Sequence, residues 1–288
     1  MKLSSLQQSH GYLEAVGGVR LHYRAWEVAQ PRAALVVLHG LTEHSGRYLE
    51  LASSMATYGI ASYALDLRGH GSSEGRRGYV ARFEVFLQDV DRFRREVQGL
   101  LDPSVPLFLL GHALGGLIAL RYLEEYESPF RGAVVLSPWL ASALPLPRWK
   151  RNLAAFLSRL LPALPLTAGI RAQDLTHDED VAAAYAADPL VHDTVTPRLF
   201  TEASAAMGLV LQRAERLSSP LLILLPGSDR ISDSTRGQAM ARSFRGPDVT
   251  LRVFPGLYHE LLGELERTAI RAEIRAWMDA RLKGPESD

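Results

Sequence analysis

The sequence predicts an α/β protein: a mostly parallel, doubly wound sheet that opens with an antiparallel hairpin and carries an inserted helical cap. Three observations predict it. Short, almost continuous apolar runs recur along the chain, helical patterns alternate with them, and one long proline-rich interval breaks the alternation. Strands buried on both faces read as apolar runs, and their alternation with helices implies parallel strands joined by crossovers.

The elements follow in order. Residues in "YLEAV" and "VRLHYRAWEV" alternate in polarity around Gly17 and Gly18, which tolerate the positive φ of a tight hairpin turn. The runs "AALVVLHG", "IASYALDLRG", "PLFLLGH", "GAVVLSP", "PLLILLPG" and "VTLRVFPG" then read as strands buried on both faces. Helical patterns lie between and after them in "GRYLELASSMATYG", "FEVFLQDVDRFRREVQGLL", "LGGLIALRYLEEYE", "STRGQAMARSF" and "GELERTAIRAEIRAWMDARL". The interval 139–197 holds Pro145, Pro147, Pro162, Pro165, Pro189 and Pro197 and an amphipathic helix. A connection this long is expected to be a lid or inserted cap, which leaves 1–138 and 198–288 as the core. The tail "KGPESD" is expected to fray.

Composition narrows the function classes. A chain of 288 residues, 47% hydrophobic, can fill a sizeable core. Its 32 basic and 32 acidic residues balance, so no global field gathers nucleic acid or an anionic bilayer, and no nucleic-acid partner is expected. Without cysteine there is no disulfide, thiol nucleophile or thiolate metal site. The start "MKLSSLQQSHGYLEAV" lacks the apolar core of a signal peptide, and no run of roughly 18 apolar residues follows, so a cytoplasmic location is expected.

Ligands of such sheets bind at the carboxyl ends of the strands. In "LFLLGHALGG", Gly111 and Gly115 stand two residues either side of Ala113, after a strand and before a helix. This spacing makes a sharp elbow that strains and exposes its central residue, with helix N–H groups beside it. Asp229 in "LLPGSDRISD" and His259 in "VFPGLYHE" follow the last two strands in turn. The order of elbow, acid and base is that of a nucleophilic triad, in which His259 takes the proton and Asp229 orients the imidazole. Asp233 is the rival acid, set further from its strand. In "LHGLTEHSGRY" the backbone N–H of Leu41 can join that of Leu114 in binding an oxyanion. His39 and Glu43 of this loop are candidates for the substrate's surroundings, His39 chiefly as a hydrogen-bonding support of the loop. Glu43, His44, Asp66 and His70 match no metal-ligand spacing, and "DLRGHGSSEG" lacks a phosphate-loop context, so neither metal nor cofactor is expected.

Taken together, "LHGLTEHSGRY", "DLRGHGSSEGRRGYV", "GHALGG", "DPLV", "GSDRISD" and "GLYHE" resemble the monoacylglycerol lipase and lysophospholipase branch of the α/β-hydrolases, also known as serine aminopeptidase-like hydrolases. The resemblance runs from the first hairpin to the last helix. It implies the α/β-hydrolase fold and carboxylester hydrolysis through an acyl-enzyme. Position 113 would be the nucleophile, Leu41 and Leu114 the oxyanion donors, Asp229 the acid and His259 the base. The departure is Ala113, where family members have Ser. Alanine cannot attack, and Ser45 and Ser137 lie outside the elbow. Loss of the nucleophile costs about 10⁶ in turnover in a well-studied triad hydrolase, so the chain as written should be nearly inactive.

Two readings of Ala113 stay open. The chain is a serine esterase whose nucleophile has been replaced, which retention of Asp229 and His259 favours, or it is a natural pseudoenzyme or small-molecule binding module. The expected substrate is a medium-to-long acyl monoester such as a monoacylglycerol. In "RNLAAFLSRLLPALPLT", Leu153, Phe156, Leu157, Leu160 and Leu161 share one helical face. Phe156, Leu157 and Leu160 are candidates for lining an acyl channel. The same face could touch a membrane or micelle, with Arg148, Lys150, Arg151 and Arg159 near headgroups, or pack on the core.

Overall fold

A computed structural model describes residues 6–127, 129–143, 147–244, 246 and 248–282. Pro145 and the tail expected to fray lie outside these residues. In chain order the strands are β1 (Gln7–Ala15), β2 (Val19–Glu27), β3 (Ala33–Leu38), β4 (Ile60–Leu65), β5 (Leu107–His112), β6 (Phe130–Leu136), β7 (Leu166–Thr167), β8 (Thr194–Val195), β9 (Leu221–Pro226) and β10 (Val249–Phe254). The helices are α1 (Leu49–Ala56), α2 (Glu84–Gly99), α3 (Leu114–Glu125), α4 (Arg148–Leu160), α5 (Glu179–Ala187), α6 (Pro197–Arg213), α7 (Ser234–Ser243) and α8 (Arg267–Leu282).

Eight strands form one sheet in the order β1-β2-β4-β3-β5-β6-β9-β10. The hairpin pairs residue for residue from Gln7↔Glu27 to Ala15↔Val19, around Gly17 and Gly18 at φ 78° and 70°. β2 joins β4 antiparallel, and the pairs from β4 through β10 are parallel. Every residue of β3, β4, β5 and β9 is buried, as their unbroken apolar character demands. Alternate side chains feed two cores: Val36, Leu109, Val135 and Ile223 meet Phe86, Phe93 and Leu117 on one face. Leu35, Val37, Phe108 and Val134 meet Leu51, Met55, Ile270 and Ile274 on the other.

β10 corrects the sequence reading. It is not buried on both faces, for it forms the sheet edge with one neighbour, and Val253 is exposed while Arg252 reaches out to Glu273 at 2.9 Å.

Between β6 and α6 the chain builds α4, the short antiparallel pair β7–β8, and α5, a helix not expected from the sequence pattern. This interval begins by pairing with the loop after β9: Ala143 N donates to Ile231 O and Asp233 N to Ala141 O, both at 2.9 Å. α4 meets α6 through Ser158 and Thr201, whose hydroxyls are 2.8 Å apart. Its apolar face does not pack on the core. Leu153, Phe156 and Leu160 are 46%, 58% and 62% exposed. Among the described residues no helix is long and apolar enough to cross a membrane.

Candidate active site

The turn from β5 into α3 places Ala113 at φ 48° and ψ −110°, a region that costs a non-glycine residue about 1–3 kcal/mol. Its neighbours explain why the strain persists. A Cβ on Gly115 would lie 2.2 Å from Leu38 O, and one on Gly111 would lie 2.3 Å from Gly115 O. The helix start, β5 and the end of β3 therefore approach each other through bare backbone, and the turn between them must be tight. Ala113 N donates to Leu136 O at 3.0 Å, and Ala113 O accepts from Leu117 N and Trp139 N, each at 3.0 Å.

Asp229 and His259, carried by the loops after β9 and β10, meet beside this turn. His259 Nδ1 lies 2.9 Å from Asp229 Oδ2 and 3.1 Å from Oδ1, with the two side chains 4% and 1% exposed. This bond assigns the proton to Nδ1 and leaves Nε2 with a free lone pair. Asp229 Oδ1 also accepts from Ile231 N at 2.8 Å and Ser232 N at 2.9 Å. Burial pushes the Asp229 carboxyl upward, but the His259 imidazole and these two amides outweigh it and hold it below the ordinary carboxylate value. Asp233, the rival acid, instead caps α7 by accepting from Thr235 N at 2.9 Å. The hydroxyl of Ser137, itself at φ 46°, donates to His259 O at 2.6 Å and so braces the imidazole's backbone.

The loop after β3 crosses the elbow closely: a Cβ on Gly40 would lie 3.2 Å from that of Ala113. Leu41 and Leu114 line the same cavity as Ala113 and His259, and among the described residues their N–H groups meet no protein acceptor. Glu43 fixes the loop, since its Oε1 accepts from Gly40 N at 2.6 Å and faces His112 Nδ1 at 2.8 Å. Burial raises the Glu43 carboxyl, yet His112 and Arg47 pull it well below the usual range. Burial lowers the His112 imidazole, yet Glu43, with Glu260 adding to it, lifts it above the ordinary value. Arg47 in turn binds Glu260 at 2.7 and 2.8 Å.

The cavity has a volume of about 220 Å³. Trp139, Ile170, Leu175 and Ile231 give it apolar walls, while Glu43, His112, Tyr185, Arg230, Ser232 and Glu260 give it polar ones. Of the residues singled out in the sequence, Ala113, Leu41, Leu114, Glu43 and His259 line it. His39 is fully buried away from it, with Nδ1 on Gly40 O at 2.7 Å and Nε2 accepting from Leu67 N at 2.9 Å, a support of the loop. Phe156, Leu157 and Leu160 are not among its lining residues. His112, Trp139, Tyr185 and Glu260 escaped the sequence reading. His112 and Glu260 each sit beside a residue that was identified, and that adjacency was the only signal. Two further imidazole–carboxylate pairs lie outside the cavity, His22 of β2 with Asp66 at 3.0 Å and His44 with Asp188 at 2.8 Å. Among the described residues no group of three or more His, Asp or Glu could hold a metal ion.

Residues 29–266 match the family described as Hydrolase_4, serine aminopeptidase S33. The chain is 32% identical over 285 residues to the monoacylglycerol lipase of Mycolicibacterium smegmatis, spanning 97% of this chain and 100% of that protein. It is 33% identical over 279 residues to the monoglyceride lipase of Homo sapiens, spanning 94% and 90%. The crystal structure of Paleococcus ferrophilus monoacylglycerol lipase superposes with a TM-score of 0.83 at 31% identity, over 91% of this chain and 99% of that one. A soluble variant of the Saccharomyces cerevisiae monoglyceride lipase superposes with a TM-score of 0.84 over 98% and 96%, and at 19% identity it speaks for the fold alone.

Proposed function

The chain belongs to the serine aminopeptidase S33 family of α/β-hydrolases and to its monoacylglycerol lipase-like branch, and from that premise we propose that it is a carboxylester hydrolase whose nucleophile position is occupied by Ala113. The observation that carries the reading is the strained backbone at Ala113 beside a buried His259–Asp229 pair. A binding pocket gains nothing from holding a methyl group at φ 48°, whereas a hydroxyl there would face an imidazole with a free Nε2. With Ser at 113, His259 takes the hydroxyl proton as oxygen attacks the ester carbonyl. Asp229 holds the imidazole in its Nδ1–H tautomer and stabilises the imidazolium. The N–H groups of Leu41 and Leu114 receive the oxyanion. His259 then protonates the departing alcohol and activates water against the acyl-enzyme.

The substrate class is a medium-to-long acyl monoester such as a monoacylglycerol, the substrate that the relatives' names indicate. A cavity with apolar walls and a cluster of charged and hydroxyl groups suits an acyl chain joined to a small polar alcohol. Residues 139–197 act as the cap over this site. The exposed Leu153, Phe156 and Leu160 of α4 are its contact with a micelle or membrane surface, to which Arg148, Arg151 and Arg159 add positive charge.

The test is Ala113→Ser, assayed beside the chain as given on p-nitrophenyl esters of increasing acyl length and on a monoacylglycerol. Turnover should rise by orders of magnitude, with acetyl esters the poorest substrates. A preference for acetyl esters or peptide amides would refute the substrate class. A folded but inert Ser form would leave the chain a pseudoenzyme.

A further inference from the structure

Leu41 and His259 are carried by loops far apart in the chain, one after β3 and the other after β10, and the short helix α5 meets both. Its sequence "EDVAAAYAA" holds five alanines in nine residues, which favours a helix. Asp178 caps it by accepting from Asp180 N and Val181 N at 3.1 and 3.2 Å, and Pro189 follows its end. The helix spans about 14 Å.

At its amino end, α5 and the residues before it are bonded to the loop that follows the base. Glu260 N donates to Leu175 O at 2.8 Å, Thr176 Oγ1 to Gly263 O at 2.8 Å, and Arg267 Nη1 to Asp178 Oδ2 at 2.7 Å. Val181 packs against bare backbone there, since a Cβ on Gly263 would lie 3.0 Å from its Cγ1.

At its carboxyl end, α5 and the turn after it hold the oxyanion loop at three points. The hydroxyls of Tyr185 and Thr42 are 2.7 Å apart, His192 N donates to Thr42 O at 3.1 Å, and His44 Nε2 lies 2.8 Å from Asp188 Oδ2. Gly46 N donates to His44 Nδ1 at 3.1 Å, which leaves the proton on Nε2 for Asp188. Thr42, the residue after Leu41, stands at φ 71°, which a β-branched residue rarely adopts. Such a conformation persists where its surroundings over-determine it, and the cap holds both the hydroxyl and the carbonyl of Thr42. With Gly40 N held by Glu43, the loop is pinned on either side of Leu41. Thr42 is 1% exposed and does not line the cavity, so it acts on the site only through the loop.

We propose that α5 is a strut between the two loops, and that Tyr185 and Asp188 are positioning residues that aim the Leu41 N–H through Thr42 and His44. The inference rests on the ester-hydrolysing reading of the site. An oxyanion donor acts only within hydrogen-bonding distance of the oxygen that gains charge, so a loosened strut costs turnover and not substrate binding.

The experiment uses the full chain carrying Ala113→Ser, with p-nitrophenyl octanoate as substrate and an alkyl trifluoromethyl ketone as inhibitor, whose tetrahedral adduct carries an oxyanion. Adding Thr42→Val should lower kcat about 10- to 100-fold, shift KM less than about threefold, and weaken inhibition by the same factor as kcat. A merely structural role would reduce the folded fraction and leave the inhibition constant unmoved. Thr42→Ser, which keeps the hydroxyl, should hold kcat within about threefold of the parent. Tyr185→Phe should match Thr42→Val, and the two together should cost no more than either, because they remove one bond. Losses that multiply in the combination, or an unchanged inhibition constant in a folded Thr42→Val chain, would overturn the inference. Should Thr42→Val fail to fold, Asp188→Ala, which lies outside the cavity, carries the same expectation for the inhibition constant. An inert Ala113→Ser parent would defeat the ester-hydrolase reading and the inference with it, whereas an active parent with inhibition unmoved by these variants overturns the inference alone.

Discussion

At the residue scale Asp229 holds His259 while Asp233 caps α7. In the Ala113→Ser background, Asp229→Asn should therefore lower kcat by about 10⁴, through loss of the working tautomer. Asp233→Asn should cost less than about tenfold, and steady-state kinetics of the two variants distinguish them. The Glu43–His112 pair has a different signature. Glu43→Gln removes the carboxylate that accepts from Gly40 N and faces the His112 imidazole, and should destabilise the fold by about 1–3 kcal/mol in urea unfolding. Because His112 is raised in the folded chain, its stabilisation is complete below the unfolded value near ~6.5 and fades as pH rises through the folded one. Unfolding free energy should fall on that alkaline side, and Glu43→Gln should flatten the fall.

At the element scale the elbow was the most legible part of the chain. Gly111, Ala113 and Gly115 stand between an apolar run and a helical pattern, and the required backbone geometry follows from close contact of β3, β5 and α3. Gly115→Ala should cost about 1–3 kcal/mol, since Leu38 O must move, and thermal unfolding would register it. α4 was legible as an amphipathic helix but not in its orientation, because a period of 3.6 residues shows that a face is apolar and not what covers it. The structure leaves Phe156 and Leu160 exposed. Replacing each by Ser should weaken sedimentation with monoacylglycerol-containing vesicles about tenfold or more while leaving the melting temperature unchanged, since no packed contact is lost. β10 was misread for a related reason: an apolar-rich run does not announce an edge when neighbouring residues such as Arg252 can turn outward.

At the scale of the whole molecule, order along the chain gave the fold, while contacts between distant loops stayed hidden. His39, His70 and His192 come from three separate loops yet meet in tilted contact, with successive ring centroids 5.3 and 4.8 Å apart. Burial lowers all three, His192 to about 4. Each takes a proton in the unfolded chain near pH ~6.5 but resists it when folded, so stability should drop as pH falls from there toward 4. His192→Gln should soften that acid limb in denaturant titrations between pH 7 and 4.

Ester hydrolysis turns on position 113, and mass spectrometry after fluorophosphonate treatment addresses it most directly. The Ala113→Ser chain should carry one phosphonyl group, located on the peptide containing residue 113. The unaltered chain and an Ala113→Ser, His259→Ala double variant should carry none. An unlabelled, folded Ala113→Ser chain would contradict the claim that the elbow, His259 and Asp229 form a working ester-hydrolysing site.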